Sequence, residues 1–314
     1  MKRYIIVMSV MIFVTSIFAQ NEDLGTTGFA FLNTKYSARA SAMANAFTGI
    51  SNDASAVFFN PGGLVQSKGK DLASTYISYF EGIQGGSVVY TMSRNEKRSV
   101  AFFGQFLSAT EARTIADETY GHYLGTDGEF GYSDIIVGIT DSRVVTDLLN
   151  IGVSVKYILE SIDGNNASAV VADIGVLNQT ANENLKMGVT VKNVGKQITY
   201  FTDSKYVENL PITVAVGFGY HPDEKLFTDF EVNKPIKGDF TVKAGAEYKV
   251  HELVKLRAGY NADAKDWKTG GDSETFAGFS FGFGVQWTKY TVDYAINSYG
   301  DLGYVNQISL TLNF

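Results

Sequence analysis

From Asp71 to Phe314, apolar and polar residues alternate in one segment after another. In 275–287, Ala277, Phe279, Phe281, Phe283, Val285 and Trp287 fall on one face, with Gly278, Ser280, Gly282, Gly284 and Gln286 on the other. In 239–250, Val242, Ala244, Ala246, Tyr248 and Val250 oppose Thr241, Lys243, Gly245, Glu247 and Lys249. Residues two apart share a face only in a strand, so a helical bundle is excluded. Fourteen such segments can be placed, at residues 72–79, 87–93, 98–107, 130–141, 150–160, 168–178, 184–195, 211–221, 225–234, 239–250, 252–261, 275–287, 289–297 and 307–314. The pattern is least clean in 72–79, 87–93, 98–107, 130–141 and 168–178, where both faces carry apolar residues. A chain with 32 glycines, 13% aromatics and only 4 prolines suits many strands joined by tight turns.

The apolar faces need somewhere to go. After position 19 no apolar run approaches the ~18 residues of a spanning helix, so membrane insertion requires a closed barrel. Loop lengths point the same way. Connections after odd-numbered segments are long (108–129, 195–210, 261–274), and most after even-numbered ones are tight (94–97, 222–224, 287–289), with 142–149 the longest exception. A bacterial barrel with both ends in the periplasm sorts its loops like this, and a β-sandwich has no reason to. Tyr220, Tyr248, Tyr260, Trp287 and Tyr290 lie near segment ends, where an interfacial aromatic belt belongs. The opposite face carries Lys156, Asp173, Lys186 and Lys192, and further on Asp229, Glu231, Lys243, Glu247, Lys255, Arg257 and Asp293. Such charges are expected in the lumen, pairing across strands; a charge-lined ion path is the other reading.

Residues 1–19 read as a secretory signal: Lys2 and Arg3, an apolar stretch to Phe18, then Ala19 before a cut at Gln20. That stretch is shorter than the ~20 residues of a membrane anchor. Its removal would take the formal charge from -7 to -9, which disfavours nucleic acid as a partner. With no cysteine, neither a lipid-modified thiol nor a disulfide framework is possible in this sequence. The expected organisation is therefore signal (1–19), an N-terminal segment (20–68) and a barrel (69–314).

The N-terminal segment differs in kind. Ala38, Ala40, Ala42, Ala44 and Ala46 favour a compact helix, and Asn52 and Asp53 can cap another over 54–59. Asn60-Pro61-Gly62-Gly63 should then break it, the glycines permitting positive φ. So few bulky residues suit a plug in a polar lumen better than a helix covering a large apolar surface. Phe31-Leu32, Ala38-Arg39-Ala40 with Met43, Asn52-Asp53-Ala54-Ser55-Ala56 and Asn60-Pro61-Gly62-Gly63-Leu64 resemble the start of PorV/PorQ-family outer-membrane proteins, within the FadL-like (long-chain fatty acid transporter) barrel superfamily. Asn52 stands for the family's first Asp, Gly62 for its Ala, and Ala-Met-Ala-Asn-Ala-Phe for its common Met-Gly-Gly-Ala-Phe. The match covers about thirty residues.

The resemblance implies an all-β membrane fold: a 14-stranded antiparallel outer-membrane β-barrel with a small helical N-terminal hatch inside the lumen. It makes Arg39, Asn52, Asp53, Asn60, Pro61, Gly62 and Gly63 the hatch or gating residues, and Phe314 a C-terminal assembly signal. It places the protein in the bacterial outer membrane, against lipid. Two roles follow from it: docking of secreted cargo or type IX secretion components, or passive passage of hydrophobic small molecules. The charged lumen favours docking over passage.

No chemistry competes with these roles. His122, His221 and His251 are scattered, and no Gly-x-Ser-x-Gly elbow occurs, so no catalytic, metal or cofactor site is expected and the chain reads as a non-enzyme. Long loops on a rigid scaffold tend to carry binding, which makes Tyr120, His122 and Tyr123 in 108–129 and Tyr200, Phe201 and Tyr206 in 195–210 the candidate extracellular contacts.

Overall fold

The computed structural model describes residues 27–117, 119–267 and 271–314, so the expected signal segment lies outside the described residues. Each alternating segment forms a strand: β1 (Lys70–Ser78), β2 (Gln84–Asn95), β3 (Arg98–Ala116), β4 (Tyr123–Thr146), β5 (Leu149–Ile162), β6 (Asn165–Gln179), β7 (Leu185–Thr199), β8 (Thr213–Tyr220), β9 (Leu226–Pro235), β10 (Thr241–His251), β11 (Val254–Asn261), β12 (Phe279–Trp287), β13 (Tyr290–Ser298) and β14 (Tyr304–Asn313). Neighbours in sequence pair antiparallel, and β1 closes on β14 from Asp71↔Asn313 to Ser78↔Asn306. Closure satisfies every strand edge internally, which a bilayer demands. Outward residues such as Phe102, Phe281, Phe283 and Leu310 stay about half exposed and form the lipid-facing surface.

Two expectations change here. Residues 108–116 and 123–129, read as loop, continue β3 and β4, pairing with each other up to Ala116↔Tyr123. Their neighbours stop earlier, β2 at Gln84 opposite Ser108 and β5 at Ile162 opposite Tyr132, so the extra length projects as a free hairpin. At the other end, 142–146 is also strand, and β4 turns into β5 between Thr146 and Leu149. The apparent exception in loop length thus disappears. The end with short turns and Phe314 is the periplasmic one.

Inside the barrel the described N-terminal segment runs the length of the lumen. Thr27 bridges Asn209 in the β7–β8 connection at the long-loop end, and Gly69 accepts the Ser93 amide at the short-turn end. Between them lie a 3₁₀ turn (Ala30–Asn33), α1 (Ala38–Ser41), α2 (Ala56–Phe59) and a second 3₁₀ helix (Pro61–Gln66). The Ser37 hydroxyl accepts the Ala40 amide and starts α1. The alanine run yields only this one turn, because Ala44 and Asn45 adopt φ of 55° and 59° and reverse the chain. Asn60 ends α2, and its side chain accepts the Gly62 amide, opening the next helix with Pro61 in first place.

Gly62 and Gly63 do not take positive φ, contrary to expectation; they are small for space. A Cβ on Gly63 would lie 2.1 Å from the Ser51 carbonyl oxygen, and one on Gly62 2.8 Å from that of Gly175.

The core lies in the lumen, and it is apolar on one side. Phe31, Leu32, Met43, Phe47, Val57, Phe58, Phe59 and Leu64 pack with lumen residues of β1 to β6, among them Ile77, Val89, Phe103, Leu107, Ile136 and Ile158. Phe58 meets Phe103 edge-on at 5.7 Å, a geometry worth about 0.5–1.5 kcal/mol beyond burial. The hatch therefore does cover a large apolar surface, and that surface is the inner wall of the early strands. This explains why those strands carried apolar residues on both faces.

Candidate functional site

The other half of the lumen, β7 to β13, is polar and holds the hatch by charge and hydrogen bonds. Period-two alternation turns Asp229 and Glu231 of β9, Glu247 of β10, Arg257 of β11 and Asp293 of β13 inward, all nearly fully buried. Arg39, at the second position of α1, donates from Nε and Nη2 to Glu247 at 2.8 and 3.0 Å, a two-pronged pair. Its Nη1 donates to Asn52 Oδ1 and Asp53 Oδ2, both at 2.8 Å. Arg257 bridges Glu247 and Asp293 at 2.7 Å each, and Gly284 leaves the space that this pair fills. The Arg39 guanidinium also sits 5.1 Å over the Phe47 ring. One arginine thus ties α1, the 52–53 turn and the wall into a single network.

A second clamp uses backbone. Glu231 Oε2 accepts the amides of Phe47 and Thr48 at 3.2 and 2.9 Å; Asp229 Oδ2 accepts those of Gly49 and Ile50, both at 2.9 Å. Two carboxylates on adjacent lumen positions of β9 thereby satisfy four successive amides of one turn. Asn60 donates to the carbonyls of Thr48 and Val176, both at 3.0 Å, fastening the hatch to β6. Further round, the Ala38 amide donates to Ser309 and the Asn297 side chain to the Ser41 carbonyl.

Lumen-facing glycines let the hatch lie flush. A Cβ on Gly152 would meet the Pro61 carbonyl at 2.2 Å, on Gly188 that of Thr48 at 2.1 Å, and on Gly217 the Gly49 amide at 2.6 Å. Gly282 of β12 likewise faces Ala42. Nothing in the sequence of the hatch alone marks these strand glycines as its seat.

Above the hatch, at the long-loop end, a cavity of about 280 Å³ remains. Lys243 faces it rather than the hatch network, as does Lys192. Lys35 of the hatch joins them; burial, with the like charges of Lys192 and Lys156, holds its ammonium well below the usual lysine range. Lys255 lies on the lumen face of β11, two residues before Arg257.

The outer contacts are dispersed. Tyr120 and Tyr123 are exposed at the hairpin tip, where Asp117 accepts the amides of Thr119, Tyr120 and His122 and fixes the turn. Those amides, that of Tyr120 foremost, hold the Asp117 carboxyl below its ordinary value. Tyr206 is exposed and Tyr200 half-buried, but Phe201 packs against the lumen core and does not face outward. Phe314 is exposed on the periplasmic rim, its amide bonded to the Lys70 carbonyl at 2.8 Å. His122, His221 and His251 lie respectively at the hairpin tip, after β8 and at the end of β10, so they do not converge.

No family model matches the chain, and no curated protein matches it. Solved structures do. The CymD monoaromatic hydrocarbon channel superposes with a TM-score of 0.64 at 11% identity, covering 89% of this chain and 98% of that one. The Ralstonia pickettii toluene transporter TbuX gives 0.61 at 13% identity, with 89% and 98% covered. A Pseudomonas aeruginosa FadL homologue gives 0.54 at 12%, with 94% and 100% covered. At such identities the likeness is one of fold: this chain is a closed, 14-stranded antiparallel β-barrel of the outer membrane, similar in fold to those proteins.

Proposed function

We propose that the protein is a non-enzymatic, passive channel through which small, largely apolar molecules cross the outer membrane, closed at rest by its N-terminal hatch. The observation that carries this reading is the apolar inner wall of β1 to β6, lined by Ile77, Val89, Phe103, Leu107, Ile136 and Ile158 and covered by the hatch aromatics. Once the hatch shifts, that wall is a continuous apolar lane, favourable to a solute that loses little by leaving water. Most of the charges that argued against such cargo, among them Asp229, Glu231, Glu247, Arg257 and Asp293, are engaged with the hatch or with one another, so they act as its seat rather than as an ion path. The structural likeness to hydrocarbon channels supports the same choice over the docking of secreted proteins. The test is uptake of radiolabelled toluene by cells with an intact outer membrane that lack their own hydrocarbon channel. Expression of the protein should raise initial uptake several-fold. Unchanged uptake in cells that display the folded barrel would contradict the proposal.

A further inference from the structure

The cavity above the hatch has a chemistry that plugging does not use. Its floor is Phe59 and Asn45, its sides come from β7 to β10, and Trp267 and Tyr299 close it from the loops. Those two rings stack at 4.3 Å with 26° between planes, presenting an aromatic wall. Three lysine side chains face that space, those of Lys35, Lys192 and Lys243. Lys192 is only 5% exposed. Among the described residues, neither Lys192 nor Lys243 joins an ion pair or donates a hydrogen bond, and Lys35 donates only to the Leu32 carbonyl. Two carboxylates also line the cavity, but both accept from other donors. Glu231 takes the hatch amides and the Asn233 side chain, and Asp263 takes the Thr241 hydroxyl. A buried ammonium such as Lys192, with no direct ion pair or hydrogen bond, is costly; the Glu231 and Asp173 charges offset part of that cost at longer range, and the half-buried Lys35 and Lys243 add like charge. A ligand that brings one negative charge offsets that cost.

We propose that this cavity binds a small aromatic acid, its carboxylate or sulfonate among Lys35, Lys192 and Lys243 and its ring against Trp267 and Tyr299. The volume suits one substituted ring, since a void of ~150 Å³ already admits benzene, and it is too small to enclose a long acyl chain. The inference rests on the channel reading only in taking the long-loop end as the solute's entrance; binding itself requires no passage.

The chain has two tryptophans, and Trp287 is exposed on the lipid face, so W287F leaves Trp267 as the single indole reporter inside the cavity. The full-length W287F protein in detergent is titrated with benzoate, with benzyl alcohol as its neutral counterpart, and with sodium sulfate as an anion without a ring. Benzoate should change Trp267 emission saturably, and benzyl alcohol and sulfate should each bind at least about tenfold more weakly. K192Q and K243Q, checked for folding by their heat-dependent gel shift, should each weaken benzoate about tenfold and leave benzyl alcohol unchanged. Benzyl alcohol binding as tightly as benzoate overturns the acid, sulfate binding as tightly overturns the ring, and full benzoate affinity in both lysine variants overturns the site. Should benzoate bind while toluene uptake in cells stays flat, the site stands and the channel falls; uptake without benzoate binding has the opposite meaning.

Discussion

Among the described hatch residues Arg39 has the most partners, and its loss should be felt as leakage rather than unfolding. Removing one member of a buried ion pair costs ~3–5 kcal/mol. Here Arg257 keeps Glu247 paired and Asp53 is partly solvated, so we expect about 2 kcal/mol, still ~30-fold in the closed-to-open equilibrium at 1.4 kcal/mol per decade. R39A should therefore show open events roughly 30-fold more often in planar-bilayer recordings, with the barrel intact on gels. Closed traces matching the parent would mean that Arg39 does not hold the hatch. At this scale the sequence was informative where side chains meet side chains. Arg39, Asn52 and Asp53 came from the resemblance, and the inward turn of Glu247 from strand parity. The role of Asp229 and Glu231 was hidden, because their partners are backbone amides that leave no mark on residue identity. Phe201 misled, since an aromatic in an outer connection can fold back over the lumen as easily as face a partner.

Among elements, all fourteen strands were legible and their ends were not. Strands β8 to β14 showed clean alternation because lipid lies outside and polar groups inside. Strands β1 to β4 and β6 did not, since hatch aromatics occupy the lumen there and both faces are apolar. The β3–β4 extension was read as loop because its residues are exposed on both faces, so no burial pattern announces a strand. That hairpin contributes little to the barrel: Ala109↔Tyr132 is its last level beside a neighbouring strand, and the Arg113–Asp163 pair beyond it is solvent-exposed and readily screened. Replacing 110–131 with a two-residue turn should leave membrane assembly and the gel-shift temperature unchanged. Failure of the trimmed protein to assemble would show that the hairpin belongs to the folding unit.

For the whole molecule, closure of the barrel and closure of its lumen are separate achievements. The strand ladder seals the wall by backbone hydrogen bonds alone, whereas the lumen is sealed by a segment from outside that ladder, docked against glycines, carboxylates and an apolar inner face. A barrel lacking the plug should hence still fold, with water in place of the hatch. Single-channel conductance of a variant lacking residues 34–63, compared with the intact chain, tests this most directly. The deletion should give a stable, open pore where the parent stays shut, and equal conductance of the two proteins would contradict it.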